Sequence, residues 1–480
     1  MSAVLVWFRN DLRLSDHPAL DAALSQGKSV VPVFIWSPDD DHSWPPGSAT
    51  RWWLHHSLLS LQEEMRLRGS RLIVRTGSLL SELRKLLSET DANTVYWNRS
   101  YEPSAIARDT TIKQKLRDDG VTIESFPGNL LHEPWTVATQ QGRPFQVFTP
   151  FWKACLSRDV AEPMPSDSLE FPAPRTWPTS ATIESLGLLP RIDWAAGFRS
   201  RWSPGRTGAE TALERFLEST VNAYHERRDI PAIAGTSSLS PHLHFGEISP
   251  REIWHRVLGQ GVKNSSALNE GASTFLKELG WREFAHHILF HFPHVALKPL
   301  REKFLKFPWD HDKIKFRAWT KGKTGYPIVD AGMRELWSTG WMHNRVRMIV
   351  GSFLTKHLLI SWERGARWFW ETLVDADLAS NTLGWQWISG CGPDAAPYFR
   401  IFNPVMQGEK FDPAGEYVKR WVPELRLLPT KWIHHPWDAP ADMLSTANIK
   451  LGETYPSPIV DHREACARAL TAFEVVKGIG

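Results

Sequence analysis

The sequence predicts two architectures in succession: a parallel α/β sheet, five-stranded and Rossmann-like, then an all-helical region, joined by a long linker. Short β-branched runs alternate with amphipathic helical spacers over residues 1–131. A Pro-rich, poorly periodic stretch occupies 132–204, and helical periods dominate 205–480.

The strand signals are AVLVWF, VVPVFIW, RLIVRTG, TVYWN and VTIESF. Their regular separation by helical segments is a βαβ pattern, which calls for a parallel sheet covered on both faces. In the spacer RWWLHHSLLSLQEEMRLRG, Trp53, Leu54, Leu58, Leu61 and Met65 recur near a helical period until Gly69 stops the helix. Neither GxGxxG nor GxxxxGK[ST] follows the first strand, so the usual phosphate cradles are missing there. Within the linker, FQVFTPFWKACL carries too many rings to leave exposed and is expected to dock on a domain.

The helical region opens on TGAETALERFLESTVNAYHERRD, with Thr207 as expected N-cap and Glu210 completing a capping box. GTSSLSPHLHFGEISP then gathers Gly235, Thr236, Ser237, Ser238 and Ser240, whose amides and hydroxyls suit a diphosphate; an ordinary capped turn would read similarly. STFLKELGWREFAHHILFHFP predicts an apolar helix on which Glu278, Trp281 and Arg282 share a rim. His287 and His291 stand at i,i+4, but with no HExxH and no third ligand, no metal is assigned. KTGYPIVDAGMRELWSTGWMHNRVRM predicts two helices joined near Gly340, the second carrying Asn344 and Met348 one turn apart with Arg345 and Arg347 flanking them. Arginine beside asparagine suits phosphate and base edges, as it also suits a solvated face.

Composition narrows the class. The chain has 480 residues, 42% hydrophobic and 23% charged, and no apolar run approaches the roughly 20 residues that span a bilayer, so a globular protein in the cytoplasm is expected. Cys155, Cys391 and Cys466 are too scattered for a disulfide framework or a zinc cluster. Net charge is only +3, yet basic residues crowd Lys298–Lys323 and recur at Arg345, Arg347, Arg364 and Arg367. With 25 tryptophans against seven tyrosines, indoles either fill many large pockets or have a chemical role.

The densest chemistry lies in DADLASNTLGWQWISGCGPDAAPYFRIFNP, residues 375–404. A helix from Asp377 to Trp387 places Asp377, Asn381 and Trp385 on one ridge, while Trp387 points about 200° around. Gly390, Gly392 and Pro393 end that helix. Individually these residues are ordinary core; together they read as a cofactor pocket.

TSSLSPHLHFGEISP, WREF, TGYPIVDAGMRELWSTGWMHNRVRM and the 375–404 block, with WFRNDLRLSDHPAL at the start, resemble the photolyase and cryptochrome flavoprotein family in the right order over nearly the whole chain. The resemblance implies FAD in a folded shape, contacted by Tyr224, Thr236, Ser237, Ser238, Leu239, Ser240, Arg347, Asp375, Ala376, Asp377 and Asn381, the last near the ring nitrogen that changes protonation. It implies an electron-hopping chain of Trp385, Trp362 and Trp309. It assigns Glu278, Trp281, Asn344, Met348 and Trp387 to a flipped-out lesion, Glu278 and Asn381 having catalytic roles. Arg228, Arg282, Arg345, Arg400 and Gln407 are assigned to DNA contacts.

Asn344 in MHNRVRM resembles members repairing cyclobutane pyrimidine dimers, where six-four enzymes carry histidine. A single helical segment, DHREACARALTAFEVVKG, closes the chain, a short tail that favours repair over a signalling cryptochrome; that photoreceptor reading and a single-stranded-DNA-specific member stay open. PGSATRWW resembles a bacterial group near plant cryptochromes, implying methenyltetrahydrofolate as antenna ahead of deazaflavin. The expected partner is UV-damaged DNA, bound by a monomer.

Overall fold

The computed structural model describes residues 3–38, 43–164, 171–259, 268–395, 397–398 and 400–478. Two compact units partition the chain, one of residues 1–222 and 237–293, the other of 223–236 and 294–480.

The first unit is built on β1 (Val4–Phe8), β2 (Val30–Trp36), β3 (Ile73–Thr76), β4 (Thr94–Asn98) and β5 (Thr122–Phe126), all parallel in the order β3-β2-β1-β4-β5. Each predicted strand is present, and the order is that of a doubly wound sheet. Pro32 is tolerated inside β2 because pairing with β3 begins only at Val33, leaving the strand one neighbour at that point. One sheet face buries Leu5, Trp7, Val33 and Ile35 against Leu83 and Leu86 of the Leu79–Thr90 helix. Each such side chain contributes about 1.5–3 kcal/mol on leaving water. At the ends of β1 and β4, where strand order reverses, polar groups satisfy one another: Arg9 Nη1 meets Asp109 at 2.7 Å, and Asn98 Nδ2 donates to Asp11 at 2.9 Å.

The aromatic segment of the linker docks as expected, within this unit. Its Phe148–Leu156 helix lies along the Glu270–His291 helix, with Phe151 5.2 Å from Phe284 and Trp152 so close over Gly280 that a Cβ there would meet the indole at 2.4 Å. The predicted capping box at Thr207 does not form. The helix runs Arg206–Ser219 from Gly205 at φ 103°, and Glu210 accepts from Arg206 at 2.8 Å. The box forms instead at Ser249 and Glu252, where side chain and backbone exchange hydrogen bonds at the start of Pro250–Leu258.

In the second unit Pro327–Thr339 ends on left-handed Gly340, as the sequence suggests, and packs against Asn344–Ser352. Trp362–Thr372 packs against Leu378–Ser389, and His462–Lys477 is the last helix. Among the described residues, no helix is long and apolar enough to cross a membrane.

Candidate functional site

In the second unit the site is built around the entry to Leu378–Ser389. Asp377 precedes this helix rather than lying in it: as N-cap its carboxylate accepts from Ser380 N at 2.8 Å, satisfying one of the free first-turn amides. Its carbonyl accepts from Asn381 N at 2.8 Å, so acid and amide still stand one turn apart. Asn381 Nδ2 donates to the Ala366 carbonyl at 3.1 Å, fixing the side chain against the neighbouring helix.

Arg347 forms the adjoining wall. Its Nη2 donates to both oxygens of Asp375, at 3.0 and 2.8 Å, while Nε donates to the Met342 carbonyl at 2.7 Å. Asp375 and Ala376 are buried and Arg347 half-buried, so this pair is shielded more than a surface ion pair. His343 caps Asn344–Ser352 by accepting from Arg345 N at 3.2 Å; burial pushes its pKa down to about 4 and holds it neutral. Asn344 is exposed at the first turn, with half-buried Met348 one turn on.

The two tryptophans of WQW separate as the helical period requires. Trp385 is buried, its ring 5.0 Å from Phe369 and pressed onto Gly365, where a Cβ would stand 2.1 Å from the indole. Its Nε1 is buried without a hydrogen-bond partner. Trp387 is half-buried. Between them Gln386, missed by the sequence reading, is fully buried; its Nε2 donates to the Val295 and Lys298 carbonyls, both at 2.8 Å, and its Oε1 accepts from Leu300 N at 2.9 Å. Its place between two singled-out indoles was the available signal.

Trp362 is buried at the start of the helix packed on Leu378–Ser389. Half-buried Trp309 reaches that region through its neighbour Asp310, which pairs with Ile360 and donates from its backbone to Leu359 O at 2.7 Å.

The candidate DNA-contacting cations differ in their engagement. Arg345 holds Asp229, also unforeseen, at 2.8 Å and lies 4.4 Å over the Phe411 ring. Arg228 lies 5.5 Å over buried Tyr224. Arg400 is exposed, and Gln407 is half-buried on Pro404–Phe411.

The Ser/Thr loop contains the unit boundary after Thr236. In the first unit, buried Ser238 adopts φ 56°, a conformation rare for non-glycine residues, and accepts from Arg201 Nη2 at 3.0 Å. Ser237 Oγ accepts from Leu239 N at 3.4 Å, and Ser240 opens a short helix. Behind it buried Glu247, which the motif reading passed over, accepts from Trp53 Nε1 and Gly205 N, each at 2.8 Å, and pairs with His242. On Glu270–His291, half-buried Trp281 stacks on Phe148 at 3.7 Å and 6°, with half-buried Glu278 one turn before it. Arg282 donates to the Asn129 carbonyl at 2.8 Å. His287 and His291 are held by backbone at Phe145 N and Pro134 O.

Residues 4–172 match the DNA photolyase family model, and 275–475 match that of the FAD binding domain of DNA photolyase. A deoxyribodipyrimidine photo-lyase of Agrobacterium fabrum is 51% identical, the alignment covering 99% of this chain and 98% of that one. Cryptochrome-2 of Arabidopsis thaliana is 43% identical over 97% of this chain and 78% of its own. The crystal structure of a bacterial class III photolyase from Agrobacterium tumefaciens superposes with a TM-score of 0.95 at 51% identity, covering 99% of this chain and 98% of that one. Motifs, five-stranded sheet, helical FAD-binding region and full-length similarity agree that the chain belongs to the photolyase and cryptochrome flavoprotein family.

Proposed function

We propose that this protein is a deoxyribodipyrimidine photo-lyase that repairs cyclobutane pyrimidine dimers under blue light. The observation carrying this reading is the split on Leu378–Ser389: Asp377, Asn381 and buried Trp385 serve one side, and half-buried Trp387 another. The residues suit FAD. Hydroxyls of Thr236, Ser237 and Ser240 and the Ser238 turn match a diphosphate, and the unpartnered Trp385 Nε1 and the Arg347–Asp375 wall match a polar aromatic ring system.

Tyr224, Thr236, Ser237, Ser238, Leu239 and Ser240 would hold the diphosphate and ribityl portion; Arg347, Asp375, Ala376, Asp377 and Asn381 would hold the ring. Bound there and reduced, FAD would supply light-driven one-electron chemistry, the electron returning once the dimer has opened. Trp281 and Trp387 offer flat faces on which an extruded dimer stacks, and a damaged pair costs less to extrude than a normal one. Glu278 hydrogen-bonds the dimer, and Asn344 and Met348 border it. Arg228, Arg282, Arg345, Arg400 and Gln407 contact the DNA backbone, the arginines giving salt-dependent affinity. Trp309, Trp362 and Trp385 relay electrons inward. We assign methenyltetrahydrofolate as the antenna, a monomeric state and a cytoplasmic location.

The test is dimer loss from irradiated DNA, on both double- and single-stranded substrates, under blue light with fully reduced flavin. Light-dependent loss is expected. Its absence on both would favour a cryptochrome-type photoreceptor, the reading supported by the similarity to Cryptochrome-2.

A further inference from the structure

The C-terminal helix and a distorted turn meet at a cluster that the repair reaction does not use. After Asn344–Ser352 the chain continues into a π-helical turn, Phe353–His357, a local widening that often marks functional positions. It ends at His357, which is buried and stacks on Phe353 at 4.9 Å. The His462–Lys477 helix places His462 and Cys466 one turn apart on the same side. His357 Nε2 and His462 Nδ1 are 2.9 Å apart, Cys466 Sγ lies 3.7 Å from the His462 ring nitrogens, and the three ligand atoms fall within 4.8 Å of one another.

We propose that His357, His462 and Cys466 form a binding site for a zinc-type divalent transition metal, clasping the last helix to the π turn. Tetrahedral zinc bonds of about 2.0 Å to nitrogen and 2.3 Å to sulfur separate ligand atoms by about 3.3 Å for N and N and about 3.6 Å for N and S. The 2.9 Å between the two nitrogens is a few tenths of an ångström short of that separation, while Sγ, equidistant at 3.7 Å from both His462 ring nitrogens, must swing toward the Nδ1 side by rotation of the half-exposed Cys466 side chain to share the ion. The set is two imidazoles and a thiol, the mixture zinc prefers to hard-cation oxygen ligands. Support behind the ligands is present too: Arg468 donates to His357 O at 2.9 Å, fixing the backbone that carries this ring. His462 and Cys466 are half-exposed, so water can complete the fourth position and the metal can exchange. On binding, the Cys466 S–H bond breaks, the metal–sulfur bond forms and the proton passes to solvent. The competing arrangement is a single proton shared by the two histidines.

The test uses the flavin-loaded full chain, stripped of metal by a chelator. Cobalt(II) titration should give one equivalent per chain with d–d absorption to the red of the flavin bands and a thiolate charge-transfer band, both lost in Cys466→Ser and weakened in His462→Gln. Cys155 and Cys391 are buried, so alkylation of the native protein reads Cys466. Zinc at a free concentration ten times its dissociation constant should slow that alkylation about tenfold. Absence of cobalt absorption together with unchanged alkylation, or equal cobalt binding by Cys466→Ser, would overturn the site.

Discussion

Arg347 meets Asp375 through a single guanidinium nitrogen that donates to both carboxylate oxygens, at 3.0 and 2.8 Å, while its Nε is committed to the Met342 carbonyl at 2.7 Å. One side chain thereby ties the residues before Asn344–Ser352 to those before Leu378–Ser389, both helices that carry candidate site residues. Asp375 is nearly enclosed, its side chain 3% exposed against 24% for Arg347. Removing the arginine takes from a buried carboxylate the cation that donates to both its oxygens.

Arg347→Ala is therefore expected to lower stability by about 3 kcal/mol, the low end for breaking a buried pair because the guanidinium is partly solvated. Flavin retention should fall with it. Denaturant unfolding and flavin absorbance after gel filtration measure both, and Arg347→Lys should recover little because lysine lacks the forked donor geometry.

Gln386→Leu strands the buried Val295 carbonyl, at about 1–3 kcal/mol for a buried unsatisfied group, and removes the partner of the part-buried Lys298 carbonyl and Leu300 amide. The unfolding midpoint is expected to drop clearly. A midpoint equal to the parent's would mean that those backbone groups find water.

Trp385→Phe should block light-driven flavin reduction, because phenylalanine is far harder to oxidise, and spare repair once the flavin is reduced chemically. Transient absorption and dimer quantification separate the two effects. Unchanged photoreduction would remove Trp385 from the relay.

Glu283 gives a pH test independent of repair. Burial, opposed by Arg282 and the amides of Leu131 and His132, raises its pKa from 4.5 to about 7. The folded state then holds a proton the unfolded chain has released, so this contribution is complete below pH 4.5 and is lost as pH rises to about 7. Comparing unfolding free energies at both ends of that window, Glu283→Gln should remove the slope, at most about 3 kcal/mol.

The strands were legible because β-branched runs separated by amphipathic spacers have few other solutions, and the helix at 378–389 was legible because Gly390 marks its end. The cap at Asp377 was missed, since an acid at the first turn and an acid at the N-cap leave the same periodicity. Thr207 failed as a cap because the chain enters that helix through Gly205, whose positive φ no spacing rule reveals. Glu247 and Asp229 were invisible because each is defined by partners distant along the chain, and a lone polar residue carries no pattern; Gln386, also held by distant partners, left only its place between two indoles as a signal.

The most direct measurement of the central claim is the number of cyclobutane dimers lost per absorbed blue photon with fully reduced flavin, in the parent protein and in Glu278→Ala. The account predicts efficient loss in the parent and a reduced yield in the variant with flavin retention preserved. No light-dependent loss in the parent would contradict it.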